Sequence, residues 1–275
     1  MNKKDPFTSL IPLKPDISTP VFLERVNICG VKIDPYSFDE VVERIVDHAL
    51  ASKKPEYVVT PNAMHILTLT KDADFREIYR RAFFVVPDGV SLLWAAKFLN
   101  TPLNGRVNGT DLFEKLCAVA SETGLKVFLL GGRPGAAEKA KKILKSRYPS
   151  LKIVGTHCPP YNFESQIAEL EVINSKIKAA HPDLLFVGLG APKQEKWIAA
   201  HYQQLGVPIS VGIGVSFELV AHMVKRAPIW MQKMGLEWLF RLIVEPKRLW
   251  KRYILGNPLF IWLVLKQRLG LFSLQ

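Results

Sequence analysis

Cysteine is scarce in this chain, three in 275 residues, and no two stand close enough to form a C-x-x-C pair. Cys29, Cys117 and Cys158 are odd in number and far apart, so their spacing writes neither a disulfide framework nor a zinc site. His157 and Cys158 adjoin, but two ligands do not make a site. This usage fits a reducing, cytoplasmic compartment. Long apolar runs are missing too. Nothing reaches the roughly 18–20 residues of a membrane span, and the nearest approach, Tyr253 to Leu265, is interrupted by Gly256-Asn257-Pro258. The opening MNKKDPFTSLIPLKPDISTP has no continuous apolar stretch, which argues against a secretory signal and leaves a loose leader over 1–25. G-x-S-x-G and the Walker P-loop are absent. Gly188-Leu-Gly190 and Gly212-Ile-Gly214 begin a dinucleotide fingerprint, but Lys193 and Phe217 stand where its third glycine belongs. No internal repeat or low-complexity segment is present.

What remains is a composition able to build a core, 48% hydrophobic and 23% charged. Apolar runs rich in β-branched residues predict strands at 26–33, 56–60, 83–86, 126–130, 151–155, 183–188 and 207–213. Helical periodicity falls between them, at 38–52, 62–71, 74–82, 89–99, 111–123, 135–147, 164–180 and 193–204. In SFDEVVERIVDHAL, Phe38, Val41, Val42, Ile45, Val46 and Leu50 share one face, and Ser37 is placed to cap it. Such alternation predicts an α/β fold: a Rossmann-like, mostly parallel sheet with helices on both faces, over residues 26–224. After 224 the strand pattern stops. Trp, Leu and Arg recur at helical spacing, and Pro228, Pro246 and Pro258 divide the segment into short helices, a helical appendage over 225–275.

Charge is uneven. Ten Lys and Arg against two acids, Glu237 and Glu245, lie from Lys225 onward, so most of the +12 net charge sits in the appendage. A pI near 9.6 raises nucleic acid as a partner. Against that, Trp230, Trp238, Trp250 and Trp262 are interleaved with Leu and Ile, the composition of a surface lying on a membrane. The alternative for those tryptophans is a small core of the appendage's own.

Ligands of open α/β sheets bind beyond the carboxyl ends of the strands. Here those ends carry TPN (60–62), PDG (87–89), GGRPG (131–135), GLGAPKQEKW (188–197) and GIGVSFE (212–218). Together they predict a cleft on one sheet edge. Each has a plainer reading as well. GGRPG serves as an ordinary strand–helix turn, and GAPKQE as a solvated helix start, where exposed N–H groups with Lys193 and Gln194 could also hold a diphosphate. Asp88, alone in the apolar FFVVPDGVSLLWAA, is either a functional carboxylate or the cap of the helix starting near Gly89. Asp72-x-Asp74 imitates a metal-binding acid pair but falls among helices, away from any strand end.

In order along the chain, VVTPNAMHI, FVVPDGVSLLWAAK, RVNGTDL, VFLLGG, FVGLGAPKQEKWI and KRAPIW…GLEWLFRLIVEPKRLWKR resemble the motifs of the WecG/TagA/CpsF glycosyltransferases, over roughly residues 26–254. The resemblance implies a metal-independent, inverting transfer, without cofactor, of N-acetylmannosamine or a related hexose. The donor would be a UDP-sugar, the acceptor a sugar on a polyprenyl diphosphate, and the place the inner face of the cytoplasmic membrane. It implies Asp88 as general base and Thr60 as its active-site partner. Asn62, Arg106, Asn108, Gly109, Gly131, Gly190, Lys193, Gln194, Glu195 and Glu218 would form the substrate-binding set. Arg241, Arg248 and Arg252 would belong to a membrane-bound lid. Val215, Glu218 and His222 replace the Gly, Asp and Gly of many members, which leaves the donor sugar open. A homo-oligomer stays open as well. A NAD-type oxidoreductase is disfavoured by the broken fingerprint, and a nucleic-acid-binding role by the tryptophans.

Overall fold

The computed structural model describes residues 23–274, so nearly all of the expected leader lies outside the described residues. A hairpin, β1 (Val26–Ile28) and β2 (Val31–Ile33), leads to α1 (Phe38–Ala51), β3 (Glu56–Val59), α2 (Ala63–Leu69) and α3 (Ala73–Arg81). Then come β4 (Phe84–Val85), α4 (Val90–Phe98), α5 (Gly109–Thr123), β5 (Lys126–Gly131), α6 (Ala136–Arg147), β6 (Lys152–His157) and a 3₁₀ turn at Phe163–Ser165. The α/β part closes with α7 (Ile167–Ala180), β7 (Leu184–Gly188), α8 (Lys193–Leu205), β8 (Ile209–Gly212) and α9 (Ser216–Val220). The remainder is helical: α10 (Ile229–Lys233), α11 (Glu237–Val244), α12 (Pro246–Trp250), a π-helical turn at Lys251–Leu255, and α13 (Gly256–Arg268). Among the described residues no helix is long and apolar enough to cross a membrane.

Six strands form one parallel sheet in the order β4-β3-β8-β7-β5-β6. Its side chains alternate between two cores because successive residues of a strand point to opposite faces. Val58, Val127, Leu129, Phe186 and Val211 face α1, α5, α6 and α9. Tyr57, Val59, Phe128, Leu130 and Val187 face α2, α3, α4, α7, α8 and the hairpin. The expected α/β architecture is thus the observed one. Ser37 does cap α1, in a reciprocal box with Glu40. Leu50, assigned to the buried face of α1, is instead exposed, and Ala49 takes the inward position.

The single strand expected over 26–33 is a hairpin outside the sheet. Cys29 and Gly30 both have positive φ, 48° and 81°, the geometry a two-residue hairpin turn demands. Alternation of Val, Ile and polar residues reads the same before and after such a turn, so the reversal left no mark on the periodicity. Pro228 and Pro246 stand at helix starts, where a missing N–H costs nothing. Pro258 does not divide the segment as expected: α12, the π-helical turn and α13 run on without a break, and Pro258 is the third residue of α13. The last helix is not a loose addition. Phe260 and Val264 of α13 are buried in the same core as Ala63, Ile66 and Leu69 of α2. Gln267 clamps the first strand of the hairpin and its turn, accepting from Cys29 N at 2.6 Å and donating to Asn27 O at 2.8 Å.

Candidate active site

Because the sheet is parallel, the PDG, TPN, GIG, GLG and GGRPG segments leave five adjacent strands on one edge. Hydrogen bonds stitch them together. Asp88 N donates to Pro61 O (2.9 Å), Thr60 Oγ1 to Gly212 O (3.2 Å) and Gly132 N to Gly188 O (2.8 Å). Gly131, at φ 99°, approaches so closely that a Cβ there would lie 2.7 Å from Gly188 O. That glycine is required for strand-end packing. Around a Cβ built at Gly190 the space is open, and φ of 77° is what favours glycine.

Asp88 occupies the mouth of this edge. It does not cap α4, whose N-cap is Gly89 and which has no side-chain cap. Its Oδ1 instead accepts from Asn108 Nδ2 (2.9 Å) and Gly109 N (3.0 Å), at the start of α5. Asn108 is itself fixed, since its Oδ1 accepts from the backbone N–H groups of Thr110 and Asp111. Both bonds fall on Oδ1, and Oδ2 carries none among the described residues. Burial pushes the Asp88 carboxyl up to about 6; the Gly109 N–H opposes, Glu237 adds to the rise, and Arg106 and Arg241 oppose it. A carboxylate so held suits proton abstraction near neutral pH. Thr60 lies close by, its Oγ1 3.6 Å from where a Gly109 Cβ would be. Asn62 borders the same site, packed under Gly89, and caps α2 by accepting from Met64 N (3.0 Å).

Arg106 joins a ring of four charges. Its guanidinium meets Glu237 at 3.1 Å and Asp111 at 3.9 Å, and Arg226 meets the same two carboxylates at 3.5 and 2.6 Å. Glu237 is the first residue of α11, so this ring holds the C-terminal helices against the mouth of the edge. Arg241, one turn further along α11, acts on Asp88 by its field. The side chains of Arg248 and Arg252 lie outside those described.

Gln194 is buried, 3% exposed, with its amide turned to protein. Its Oε1 accepts from Gly214 N (3.0 Å) and its Nε2 donates to Glu195 Oε1 (2.9 Å). Glu195 is 1% exposed, its carboxyl raised by burial, with Oε2 unpartnered among the described residues. His65 Nε2 stands 3.7 Å from Glu195 Oε1, and His65 Nδ1 accepts from Asn62 N. A buried chain therefore runs from the Asn62 turn to the Gly214 turn. Lys193 points elsewhere, to Glu164 and the Tyr161 ring. Glu218 Oε1 accepts from Arg133 N (2.9 Å), so Glu218 braces the GGRPG turn. Asp72 caps α3 through Phe75 N and pairs with Lys196 at 3.0 Å. Among the described residues no group of three His, Cys, Asp or Glu side chains converges as a metal site would require.

The structure thus gathers Asp88, Asn108, Gly109, Thr60 and Asn62, brings Arg106 beside them, and leaves Lys193 apart. Sequence reasoning passed over Arg226, Asp111, Glu237 and His65. All four stand inside motifs quoted above, VVTPNAMHI, RVNGTDL, KRAPIW and GLEW, and the scarcity of acids after 224 singles out Glu237.

Comparison with known proteins identifies the family. The model of the glycosyl transferase WecG/TagA/CpsF family matches residues 26–273. A Bacillus subtilis (strain 168) protein is 32% identical over 241 residues, 88% of this chain and 90% of its own length. It is named N-acetylglucosaminyldiphosphoundecaprenol N-acetyl-beta-D-mannosaminyltransferase. A Staphylococcus aureus (strain NCTC 8325 / PS 47) protein with the same name is 31% identical over 246 residues, 89% of this chain and 93% of its own. With a parallel α/β sheet, a carboxylate at its carboxyl edge and a match along nearly all the described residues, this chain belongs to the WecG/TagA/CpsF family of glycosyltransferases.

Proposed function

We propose that this enzyme transfers N-acetylmannosamine or a related hexose from a UDP-sugar to a sugar carried on a polyprenyl diphosphate. The reaction inverts the anomeric carbon, needs no metal, and takes place at the inner face of the cytoplasmic membrane. The relatives' name supports the lipid-linked acceptor and the mannosaminyl group. The observation that carries the chemistry is Asp88, fixed through Oδ1 by Asn108 and Gly109 with Oδ2 unbonded. In one displacement, Oδ2 takes the proton of the acceptor hydroxyl as its oxygen bonds to the anomeric carbon. The bond from that carbon to the diphosphate breaks on the opposite face, and UDP leaves with the electron pair. Charge gathering on the diphosphate is met by Arg106 and by backbone N–H groups at the sheet edge. Glu195 and Glu218 are buried within the protein while Asp88 is half-buried, which supports a single working carboxylate and hence inversion. Metal independence is supported by Asp72, whose carboxylate is spent on a helix cap and Lys196. Exposed Trp230, Trp250 and Trp262 among basic residues support membrane contact by the C-terminal helices.

The test is to incubate the protein with a panel of UDP-sugars and a short-chain diphospholipid sugar acceptor, with mass readout and the product anomer read by NMR. One donor should react with inversion, unaffected by excess EDTA, and Asp88→Asn should slow transfer about 10²–10⁴-fold while the protein stays folded. Turnover near normal in folded Asp88→Asn, or activity lost to chelation and restored by magnesium or manganese, would overturn the assignment.

A further inference from the structure

We propose that α4, the helix leading directly out of Asp88, belongs to the face that this enzyme lays on an anionic bilayer. The contact would then extend from the C-terminal helices onto the α/β domain itself. The inference rests on the membrane reading above and adds to it a second element. Trp94 is 60% and Phe98 48% exposed, and at i and i+4 they share one side of α4, opposite buried Leu92, Ala95 and Ala96. Two large aromatic rings on nine residues, with Lys97 between them and no acid in the helix, match the composition of an interfacial surface.

Continuity with the C-terminal helices is visible at both ends of α4. At its start, Val90 packs under Gly235, next to exposed Met234. At its end, the Arg268 guanidinium lies 6.0 Å from the Phe98 ring centroid, next to exposed Leu269. Elsewhere on those helices, Lys251 and Lys266 sit over the half-exposed rings of Trp250 and Trp262, at 5.5 and 5.4 Å. Cations beside rings place positive charge at headgroup level while the rings enter shallowly. Ten Lys and Arg against two acids from residue 225 onward complement an anionic surface. Asp88 lies two residues before the first residue of α4, and Trp94 lies four residues into the helix, about 6 Å at 1.5 Å per residue. Seating α4 on the bilayer would therefore hold the reacting carboxylate at one fixed height above it, where a sugar on a lipid diphosphate projects.

The experiment compares full-length wild type with the Trp94→Ser/Phe98→Ser double variant and with Trp94→Phe/Phe98→Trp, which keeps the rings. Each is floated with phosphatidylglycerol/phosphatidylcholine vesicles and assayed on a water-soluble short-chain acceptor and on a long-chain acceptor embedded in the vesicles. The serine variant should bind vesicles about tenfold more weakly and lose embedded-acceptor transfer in proportion. Soluble-acceptor turnover and melting temperature should stay near wild type, and the ring-keeping variant should behave as wild type. Wild-type flotation by the serine variant overturns the proposal for α4 and leaves the membrane reading standing. Failure of wild type itself to float overturns both. If the serine variant floats normally but loses self-association in sedimentation, α4 is a contact between copies of this chain, and the proposal falls.

Discussion

At the residue scale, the proposed chemistry turns on Asp88, an acid in an apolar run. Its proton affinity is raised to about 6, with burial the main cause. A general base works unprotonated, so transfer should rise with pH up to about 6 and level off above it. A pH–rate profile at saturating substrates checks this, and a plateau reaching down to pH 4 would mean that Asp88 is not the titrating base. The sequence already singled out this residue, because one carboxylate among Val, Phe and Leu is conspicuous. It left open whether the acid capped α4 or faced the cleft. That choice depended on Asn108 and Gly109, some twenty residues away, and only the tertiary fold brings them to Oδ1. Gln194 teaches the opposite lesson. A helix-start glutamine reads as a ligand donor, yet both ends of its amide are turned to Gly214 and Glu195.

At the element scale, α11 is tied to the mouth of the edge by Glu237, which pairs with Arg106 and Arg226 and raises the proton affinity of Asp88. Replacing Glu237 by Gln removes that negative field. The acid limb of the pH–rate profile should then move to lower pH, because Asp88 will hold its proton less firmly. Comparing limb midpoints isolates this effect from any change in maximal rate. An unmoved midpoint would show that Glu237 does not act on Asp88. The helices themselves were legible, since a 3.6-residue period survives any arrangement of its neighbours. The hairpin was not, because its turn residues Cys29 and Gly30 include none of the usual Asn-Gly or Asp-Gly signals.

At the scale of the whole molecule, the segment after 224 does two things that sequence reading treats as one. α11 is tied to Arg106 through Glu237, while α13 fills the core with Phe260 and Val264. Phe260→Ala should cost about 3–5 kcal/mol of stability, the usual toll for emptying a buried aromatic site. Chemical denaturation would measure it, and a loss under 1 kcal/mol would show that α13 is peripheral. Cutting the chain at 224 would therefore strip α2 and the hairpin of their cover as well as remove the basic surface. A truncated protein that neither floats nor reacts cannot separate those causes, whereas exposed positions such as Trp94 and Phe98 can.

The clamp of Gln267 on Asn27 and Cys29 has a bearing on synthesis. Ribosomes deliver the amino-terminal end first, so the hairpin and the apolar face of α2 emerge long before the helix that covers them. Contacts between residues some 240 positions apart form only after nearly all the chain has been translated. Until then the nascent protein carries an uncovered greasy groove, the kind of surface on which chaperones act and aggregation begins.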